Sequence, residues 1–155
     1  MRNYMRHFNP IIFFASFLCA CTNNTPKERS DIKNQIAIEP NMIIERLFVQ
    51  WQYPNEMDIL KALDIRHNLE NEIDEVLKLK NLGEWIAGDM GPGGANMEYR
   101  IKSSPNEAIK TILDILVKEG LENECVIATD IDFLSGKWTY KILYPKGYNR
   151  KFDPS

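Results

Sequence analysis

The chain has 155 residues, of which 44% are hydrophobic and 26% charged, and its formal net charge is -3. This composition is typical of a globular protein and excludes disordered and collagen-like chains. The length suits one domain of about 100–150 residues with a short appendage, which excludes a large α/β barrel and most multidomain enzymes. The negative charge disfavours a dedicated nucleic-acid binder, because such proteins usually carry a basic excess. No nucleic-acid partner is therefore expected.

The first 20 residues have the features of a secretory signal peptide. Arg2 and Arg6 supply the positive start, and residues 11–20 form an apolar run. This run of 10 residues is too short to span a bilayer, since a transmembrane helix needs about 20 residues. The segment is therefore expected to direct export rather than to remain as a membrane span.

The end of this run, Leu18-Cys19-Ala20-Cys21, resembles the lipobox of bacterial lipoproteins. In that family an aliphatic and two small residues precede a cysteine that is diacylated on sulfur and becomes the first residue after cleavage. The resemblance implies that Cys21 is lipidated and anchors the chain in the bacterial cell envelope, facing the periplasm or the exterior. Cys19 departs from the usual Ala, Ser or Thr. A plain secretory signal is the alternative.

Cleavage after residue 20 would remove Arg2 and Arg6 and no acidic residue, which takes the net charge from -3 to -5. Two cysteines would remain, Cys21 and Cys125. Because Cys21 is expected to be acylated, Cys125 has no partner for an internal disulfide. Cys125 begins an apolar run, so we interpret it as a small buried hydrophobic residue rather than a nucleophile.

The composition divides the chain into four parts. Residues 1–20 are the signal peptide, and residues 21–40 are the acylated cysteine and a polar, flexible tether. Residues 41–148 carry the regular hydrophobic periodicity of a folded domain, and residues 149–155 are a polar tail. One domain held at the membrane by a lipid is the predicted organisation.

Hydrophobic periodicity within the domain predicts strands and helices in a definite order. The strands are predicted at residues 43–53, 84–88, 96–102, 126–131 and 138–144, with a turn at residues 134–137. Alternation predicts that the first strand is half-buried and that Met97, Tyr99 and Ile101 of the third face inward. In the fifth strand Trp138, Tyr140, Ile142 and Tyr144 alternate with Thr139, Lys141 and Leu143. One helix is predicted to end near Lys80, with Gly83 as its C-terminal cap, and a second to end at Gly120. The second helix begins with Ser104-Pro105 and has Glu107 three residues after the serine, which predicts a capping box.

This order, β-α-β-β-α-β with an additional C-terminal strand, is that of the ferredoxin-like arrangement. Right-handed crossovers place both helices on the same side of the sheet. The predicted fold class is therefore α+β, a two-layer sandwich. We expect the tryptophans to lie in the core or in cross-strand pairs, and an open second sheet face would expose an aromatic platform for peptides or sugars.

Residues 45–145 also resemble a widespread pattern of small bacterial domains. The resemblance lies in an acidic helix, then Gly83-Glu84-Trp85, a glycine-rich hairpin, and a helix beginning near Asn106-Glu107. Many such domains are uncharacterised, and some resemble immunity proteins of bacterial toxin systems. The resemblance implies an interaction module and assigns no catalytic residue.

The glycine-rich segment Gly88–Gly94 does not fit a phosphate-binding loop. A P-loop needs Lys-Ser/Thr and a following helix, whereas a strand is predicted to follow here. We expect a wide hairpin loop, with a loop that contacts a partner as the alternative. The candidate binding residues in and beside this segment are Trp85, Asp89, Gly91, Gly93 and Gly94.

Asp130 and Asp132 form a second candidate binding pair, because residues i and i+2 of a strand face the same side. No further ligand pattern accompanies these two residues, so no metal and no cofactor are predicted. The acidic helix side chains Glu70, Glu72, Asp74 and Glu75 are interpreted as a solvated face, with a docking surface for a basic partner as the alternative.

A Gly-x-Ser-x-Gly elbow and His-Glu-x-x-His are missing from the sequence, and its one Ser-x-x-Lys, Ser30-Asp31-Ile32-Lys33, lies in the predicted flexible tether rather than in the folded domain. The expected function is therefore non-enzymatic, a membrane-anchored module that binds a protein partner, with an immunity-type role as one sub-case. A small-ligand or cell-wall binding lipoprotein is the first alternative. An unrecognised hydrolase that uses clustered carboxylates is the second.

Overall fold

The computed structural model describes residue 36 and residues 42–91, 93–132, 138–150 and 152–154. The predicted signal peptide, Cys21 and the tether except Ile36 lie outside the described residues, as does the turn predicted at residues 134–137. Ile36 packs against the hydrophobic core. Phe152 to Pro154, within the predicted polar tail, lie against the sheet, as the contacts below show.

The described part of the chain contains five strands and two helices. In chain order they are β1 Arg46–Trp51, α1 Ile59–Leu79, β2 Gly83–Gly91, β3 Gly94–Ile101, α2 Pro105–Glu119, β4 Cys125–Asp130 and β5 Tyr140–Tyr144. The strands form one antiparallel sheet in the order β2-β3-β1-β4-β5. The predicted α+β class is confirmed.

Strand β1 lies at the centre of the sheet, where Val49 is opposite Met97 of β3 and Ile127 of β4. Its alternate residues Leu47, Val49 and Trp51 belong to the hydrophobic core, which also contains apolar residues of both helices. The core-facing residues of β3 are those predicted from alternation: Met97, Tyr99 and Ile101. Cys125 is buried as expected, and burial raises the pKa of its thiol well above the usual range.

The second face of the sheet is partly covered by the C-terminal segment. Gln50 donates a hydrogen bond from Nε2 to the carbonyl oxygen of Asp153 at 2.8 Å. The rings of Phe152 and Tyr140 meet edge to face, with their centroids 5.2 Å apart. Strand β1, predicted to be half-buried, is therefore buried on both faces, since Phe48 and Gln50 are buried as well.

The alternation predicted for β5 is interrupted. Its aromatic residues were expected in the core or in cross-strand pairs, and the Tyr140 ring lies 5.1 Å from Phe48 on the second face, while Trp138 is 57% exposed. Leu143, which alternates with the aromatic residues in the sequence, is buried in the core together with Tyr144. The pairing of β4 with β5 shifts between Ile127 and Ala128, and such an irregularity changes the face to which the following residues point.

The ends of the helices differ from the prediction at three positions. Ser104 adopts a left-handed backbone (φ 42°) and its side chain makes no cap hydrogen bond, so the predicted capping box is wrong. Helix α1 instead has a side-chain cap, because Asp58 accepts hydrogen bonds from the backbone of Leu60 and Lys61. Gly83 lies in β2, while Asn81 takes the left-handed conformation after α1. Gly120 caps α2 as predicted.

We predict that Asp58→Ala lowers the free energy of unfolding by about 1 kcal/mol, because two backbone N–H groups lose their acceptor. Ser104→Ala is the matched control, since it removes a serine that caps nothing, and it should change stability by less than about 0.5 kcal/mol. Chemical denaturation of both variants tests this. An equal loss in the two variants would contradict the assignment of Asp58 as the working cap.

Candidate functional site

A groove of about 340 Å³ lies between helix α1 and the edge strand β2. We call it the α1–β2 groove. Its lining residues share these two elements and are Arg66, His67, Glu70, Asn71, Asp74, Trp85 and Gly88. Buried charged side chains, a partly exposed tryptophan and the backbone of a glycine therefore lie together in this groove. This combination makes the groove the strongest candidate site among the described residues.

The local structure explains why these residues converge. Arg66, Glu70 and Asp74 are spaced four residues apart and so share one face of α1. On β2, Trp85 pairs with Tyr99 and Gly88 pairs with Met97, both of which face the core. The register of β2 shifts between Trp85 and Ala87. Because of this bulge, Trp85 and Gly88, which are three positions apart, both lie on the side of the strand that faces the helix.

Gly88 allows the helix and the strand to approach closely. A Cβ atom added at Gly88 would overlap Glu70 Oε1 and would lie 2.7 Å from Arg66 Nη1. The missing side chain thus leaves the space in which the ends of Arg66 and Glu70 lie. This is a close-approach role for glycine, which needs no left-handed backbone at this position.

Arg66 and Glu70 form an ion pair under the strand. Arg66 Nη1 lies 3.2 Å from Glu70 Oε1, and both residues are only 7% exposed. Neither of these two atoms, nor Arg66 Nε, makes a hydrogen bond within the described structure. Arg66 Nη2 lies 2.9 Å from His67 Nε2. The pair is therefore buried, but its hydrogen-bonding capacity is incompletely used.

Burial raises the pKa of Glu70, although the charges of Arg66 and His67 and a hydrogen bond with the Trp85 side chain act in the opposite direction. Tyr99 is fully buried, and its hydroxyl makes no hydrogen bond within the described structure. Burial, together with the charges of Glu70 and Asp74, raises the pKa of Tyr99 well above its usual value.

Asp74 fixes the position of Trp85. The backbone N–H of Trp85 donates to Asp74 Oδ1 at 2.7 Å, while Asp74 Oδ2 pairs with Lys78 at 2.6 Å. The Trp85 residue remains 43% exposed. A large aromatic side chain is thus presented to solvent on a backbone that is held by a carboxylate of the helix.

The acidic face expected on α1 is mostly paired. Glu70 was predicted to be solvated, but it is buried against Arg66. Glu72 pairs with Lys118 of α2 at 2.7 Å, and Asp74 pairs with Lys78. These three carboxylates therefore offer little uncompensated charge to a basic partner.

The structure separates the other predicted site residues from Trp85. Asp89 lies on the second face of the sheet, where its Oδ1 accepts a hydrogen bond from Asn96 Nδ2 at 2.7 Å. Asn96 Oδ1 in turn accepts from Gln50 Nε2 at 2.8 Å. Asp89 therefore belongs to a polar ladder on the face opposite the helices, and Trp85 belongs to the groove.

The expected wide hairpin loop is wrong. Strands β2 and β3 remain paired up to Gly91 and Gly94, which leaves only residues 92–93 between them. Gly94 has φ 133°, and a Cβ there would overlap the carbonyl oxygen of Trp51, so this position requires glycine. Gly91, Gly93 and Gly94 border a second pocket of about 330 Å³, whose other walls include Tyr53, Tyr148 and Arg150.

Asp130 and Asp132 do not share a strand face. Strand β4 ends at Asp130, whose Oδ1 accepts the backbone N–H of Asp132 at 2.9 Å. The pair therefore builds a turn, because a carboxylate that accepts from the residue two positions on favours a bend. Within the described residues, no group of three or more His, Cys, Asp and Glu side chains is placed to hold a metal ion.

Of the seven groove residues, only Trp85 was among the predicted binding residues. Glu70 and Asp74 were predicted as part of a solvated acidic face, with a docking surface as the alternative. The groove residues that were not predicted at all are Arg66, His67, Asn71 and Gly88. The sequence does contain one signal for Arg66. Residues 62, 66, 69, 73 and 77 follow the spacing of a buried helix face, and Arg66 is the charged member of that set. A charge on an apolar stripe indicates a buried pair. The position of Glu70 gives no such signal, because its burial depends on Gly88.

No protein-family model, curated protein or solved structure matches the chain. Among the helices of the described residues, none combines the length and the apolar character that a membrane crossing requires.

We predict that Gly88→Ala lowers the free energy of unfolding by about 1–3 kcal/mol, because the new methyl group overlaps the ends of Glu70 and Arg66. Ala87→Ser, one residue away and exposed, is the control and should change stability by less than about 0.5 kcal/mol. In a Glu70→Ala background the cost of Gly88→Ala should shrink, as a double-mutant cycle by denaturation would measure. Strict additivity would show that the two residues do not compete for space.

Proposed function

We propose that this chain is a lipid-anchored, non-enzymatic protein-interaction module of the bacterial cell envelope. Its lipid would be attached to Cys21, as the resemblance of Leu18-Cys19-Ala20-Cys21 to a lipobox implies. Its binding surface would be the α1–β2 groove with the adjoining edge of β2. The single observation that carries this proposal is the exposed Trp85 ring, held on an edge strand beside a buried ion pair.

Trp85 has the properties of an interface anchor. Tryptophan is enriched among the few residues that dominate binding energy in protein interfaces. An exposed tryptophan is also costly to leave in water unless a partner covers it. Because Asp74 already holds the Trp85 backbone, little ordering remains to be done when a partner binds.

The edge of β2 supports the same surface. Strand β2 has a neighbour on one side only and runs for nine residues, of which Glu84 and Asp89 alone are charged. The opposite edge, β5, has five residues, includes Lys141 and is followed by Pro145. Short length, lysine and proline protect a sheet edge, whereas a long edge invites an added strand. A partner's extended segment would therefore join the sheet along β2 beyond the bulge, because the backbone N–H of Trp85 is already bonded to Asp74.

We further propose that the domain is ferredoxin-like, with β5 as an addition. In the split βαβ arrangement the first strand lies between the third and the fourth, and the second lies outside the third. The strand order β2-β3-β1-β4-β5 supports this assignment, and so does the contribution of both helices to one core. An immunity-type role is one sub-case of the proposed module.

A small-ligand or cell-wall binding role is the second candidate, favoured by the pocket beside Gly91, Gly93 and Gly94. Tyr53 and Tyr148 supply aromatic surface there, while Gln52 and Arg150 supply polar groups. Aromatic rings with a few polar groups are typical of ligand sites. A thermal-shift screen with cell-wall fragments tests it, since a fragment that raises the melting temperature would favour this role over a protein partner.

We predict that Cys21→Ser abolishes the incorporation of labelled fatty acid and releases the chain from the membrane fraction, because the acylated sulfur is lost. Cys125→Ser is the matched control and should keep both the label and the membrane association. Metabolic labelling and fractionation measure both. A Cys21→Ser chain that keeps its label would refute the lipid anchor.

We predict that one protein from the envelope or secreted fraction binds the immobilised chain saturably, and that Trp85→Ala weakens this binding about tenfold or more. Trp138→Ala is the matched control, because Trp138 is also exposed but lies on the other sheet face. Pull-down followed by titration of the captured protein gives both affinities. Equal losses for the two variants, or binding unaffected by Trp85→Ala, would contradict the groove as the binding surface.

A further inference from the structure

We propose that the second face of the sheet is a docking site for an extended protein segment that carries an aromatic residue two positions before a proline. In the structure the chain's own C-terminal segment, residues 152–154, occupies this site and would compete with such a partner. The site lies on the face opposite the helices. It is therefore separate from the α1–β2 groove and goes beyond the function proposed above.

The path of the C-terminal segment is the first support. Phe152 meets Tyr140 of the edge strand β5, and the carbonyl oxygen of Asp153 accepts from Gln50 of the central strand β1. Pro154 borders a small pocket of about 90 Å³, whose other walls belong to β1, β2 and β3. The segment thus crosses the strands as a bound peptide would, and it does not join the sheet as a further strand.

Gly93 leaves the space in which this segment lies. A Cβ atom added at Gly93 would be 2.6 Å from the carbonyl oxygen of Asp153 and 2.6 Å from Gln50 Nε2. Gly93 does not have a left-handed backbone, so its own conformation does not require glycine. The close approach of the C-terminal segment does require it.

Gln50 provides a donor that recognises the backbone of the segment. Its Nε2 donates to the carbonyl oxygen of Asp153 and to Asn96 Oδ1, both at 2.8 Å. Asn96 donates in turn to Asp89, so the polar ladder holds the Gln50 amide in place. A donor that is already positioned loses little freedom when a carbonyl oxygen binds to it.

An aromatic cluster receives the ring of Phe152. The Tyr140 ring lies 5.1 Å from Phe48 and 6.2 Å from Trp138, measured between ring centroids. Phe152 meets Tyr140 edge to face at 5.2 Å, and such contacts favour an aromatic side chain over an aliphatic one. Because Trp138 is 57% exposed, the cluster extends beyond Phe152 and offers further surface to a longer segment.

Proline suits the third position of the segment for two reasons. The residue before a proline is restricted to extended conformations, so Pro154 restricts the backbone of Asp153, whose carbonyl oxygen Gln50 binds. Proline also lacks a backbone N–H group, and a segment that crosses the strands needs none for pairing. A partner segment with the same aromatic residue and proline would therefore match the site.

The C-terminal segment sets the affinity that a partner needs. A group joined by a short connection acts at an effective concentration on the order of millimolar, which a partner must exceed. Phe152, Asp153 and Pro154 all remain partly exposed, so their release costs less than the opening of a buried strand. The segment is thus suited to be replaced by a partner that makes more contacts.

NMR titration of the isotope-labelled full chain with a capped peptide of the sequence 150–155 tests the proposal. The wild-type chain should bind the peptide weakly, because its site is occupied. Phe152→Ala removes the ring that anchors the resident segment, so this variant should bind the peptide about tenfold more tightly. The expected shifts are those of the side-chain amides of Gln50 and Asn96 and of the Trp138 indole N–H.

Two further variants and a second peptide serve as controls. Asn149→Ala changes an exposed residue before the segment and should bind the peptide as the wild type does. Gly93→Ala should dislodge the resident segment but also fill its place, so this variant should bind no peptide. A peptide with alanine in place of its phenylalanine and its proline should bind to none of the chains.

Three results would each overturn the proposal. The first is a Phe152→Ala chain that binds the peptide no better than the wild type, which would make the segment a fixed part of the fold. The second is a Gly93→Ala chain that binds as tightly as Phe152→Ala. The third is equal binding of the alanine peptide. The titration uses no other protein, so its result is independent of any partner of the α1–β2 groove.

Discussion

The burial of β1 on both faces is the constraint on which the rest of the structure depends. One face, with Leu47, Val49 and Trp51, requires the two helices to cover it. The other face buries Gln50 completely, and a buried amide must be hydrogen-bonded to avoid a large desolvation cost. Asn96 of β3 and the carbonyl oxygen of Asp153 both accept from Gln50 Nε2, whereas Gln50 Oε1 makes no hydrogen bond within the described structure. The central strand thus fixes the helix layer, its neighbour β3 and the C-terminal segment together.

The α1–β2 groove follows from this arrangement. Because β3 lies between β1 and β2, helix α1 must reach the outer strand to cover the core-facing side of Tyr99 and Met97. The contact is made through polar groups, with Asp74 holding the Trp85 backbone and the Arg66–Glu70 pair lying against Gly88. A helix that meets an edge strand through charges rather than apolar side chains leaves a crevice, and Trp85 forms one of its walls.

The sequence predicts local features of this fold well and long-range features poorly. Alternation in β3 and the glycine at 120 depend on neighbouring residues only, and both predictions are confirmed. The burial of Glu70 depends on Gly88, which lies on another element, so helix periodicity places Glu70 in solvent. The side-chain directions of β5 depend on an irregularity in its pairing with β4. No residue of β5 indicates this irregularity in the sequence. Of the candidate site, Trp85 was predictable, whereas its groove required the contact between two elements.

The buried Arg66–Glu70 pair is a weak source of stability. Taking two charges out of water costs several kcal/mol per ion, and the attraction between them repays this only with good hydrogen-bond geometry. Arg66 and Glu70 lie close together, but within the described structure two donors of Arg66 and one acceptor of Glu70 make no hydrogen bond. The attraction between the two charges therefore offsets their desolvation cost only in part. Apolar residues at these positions would extend the stripe of Leu69 and Ile73 at no such cost. The pair therefore adds little to stability, and its structural effect is to hold helix α1 against Gly88 of β2 beside the exposed Trp85.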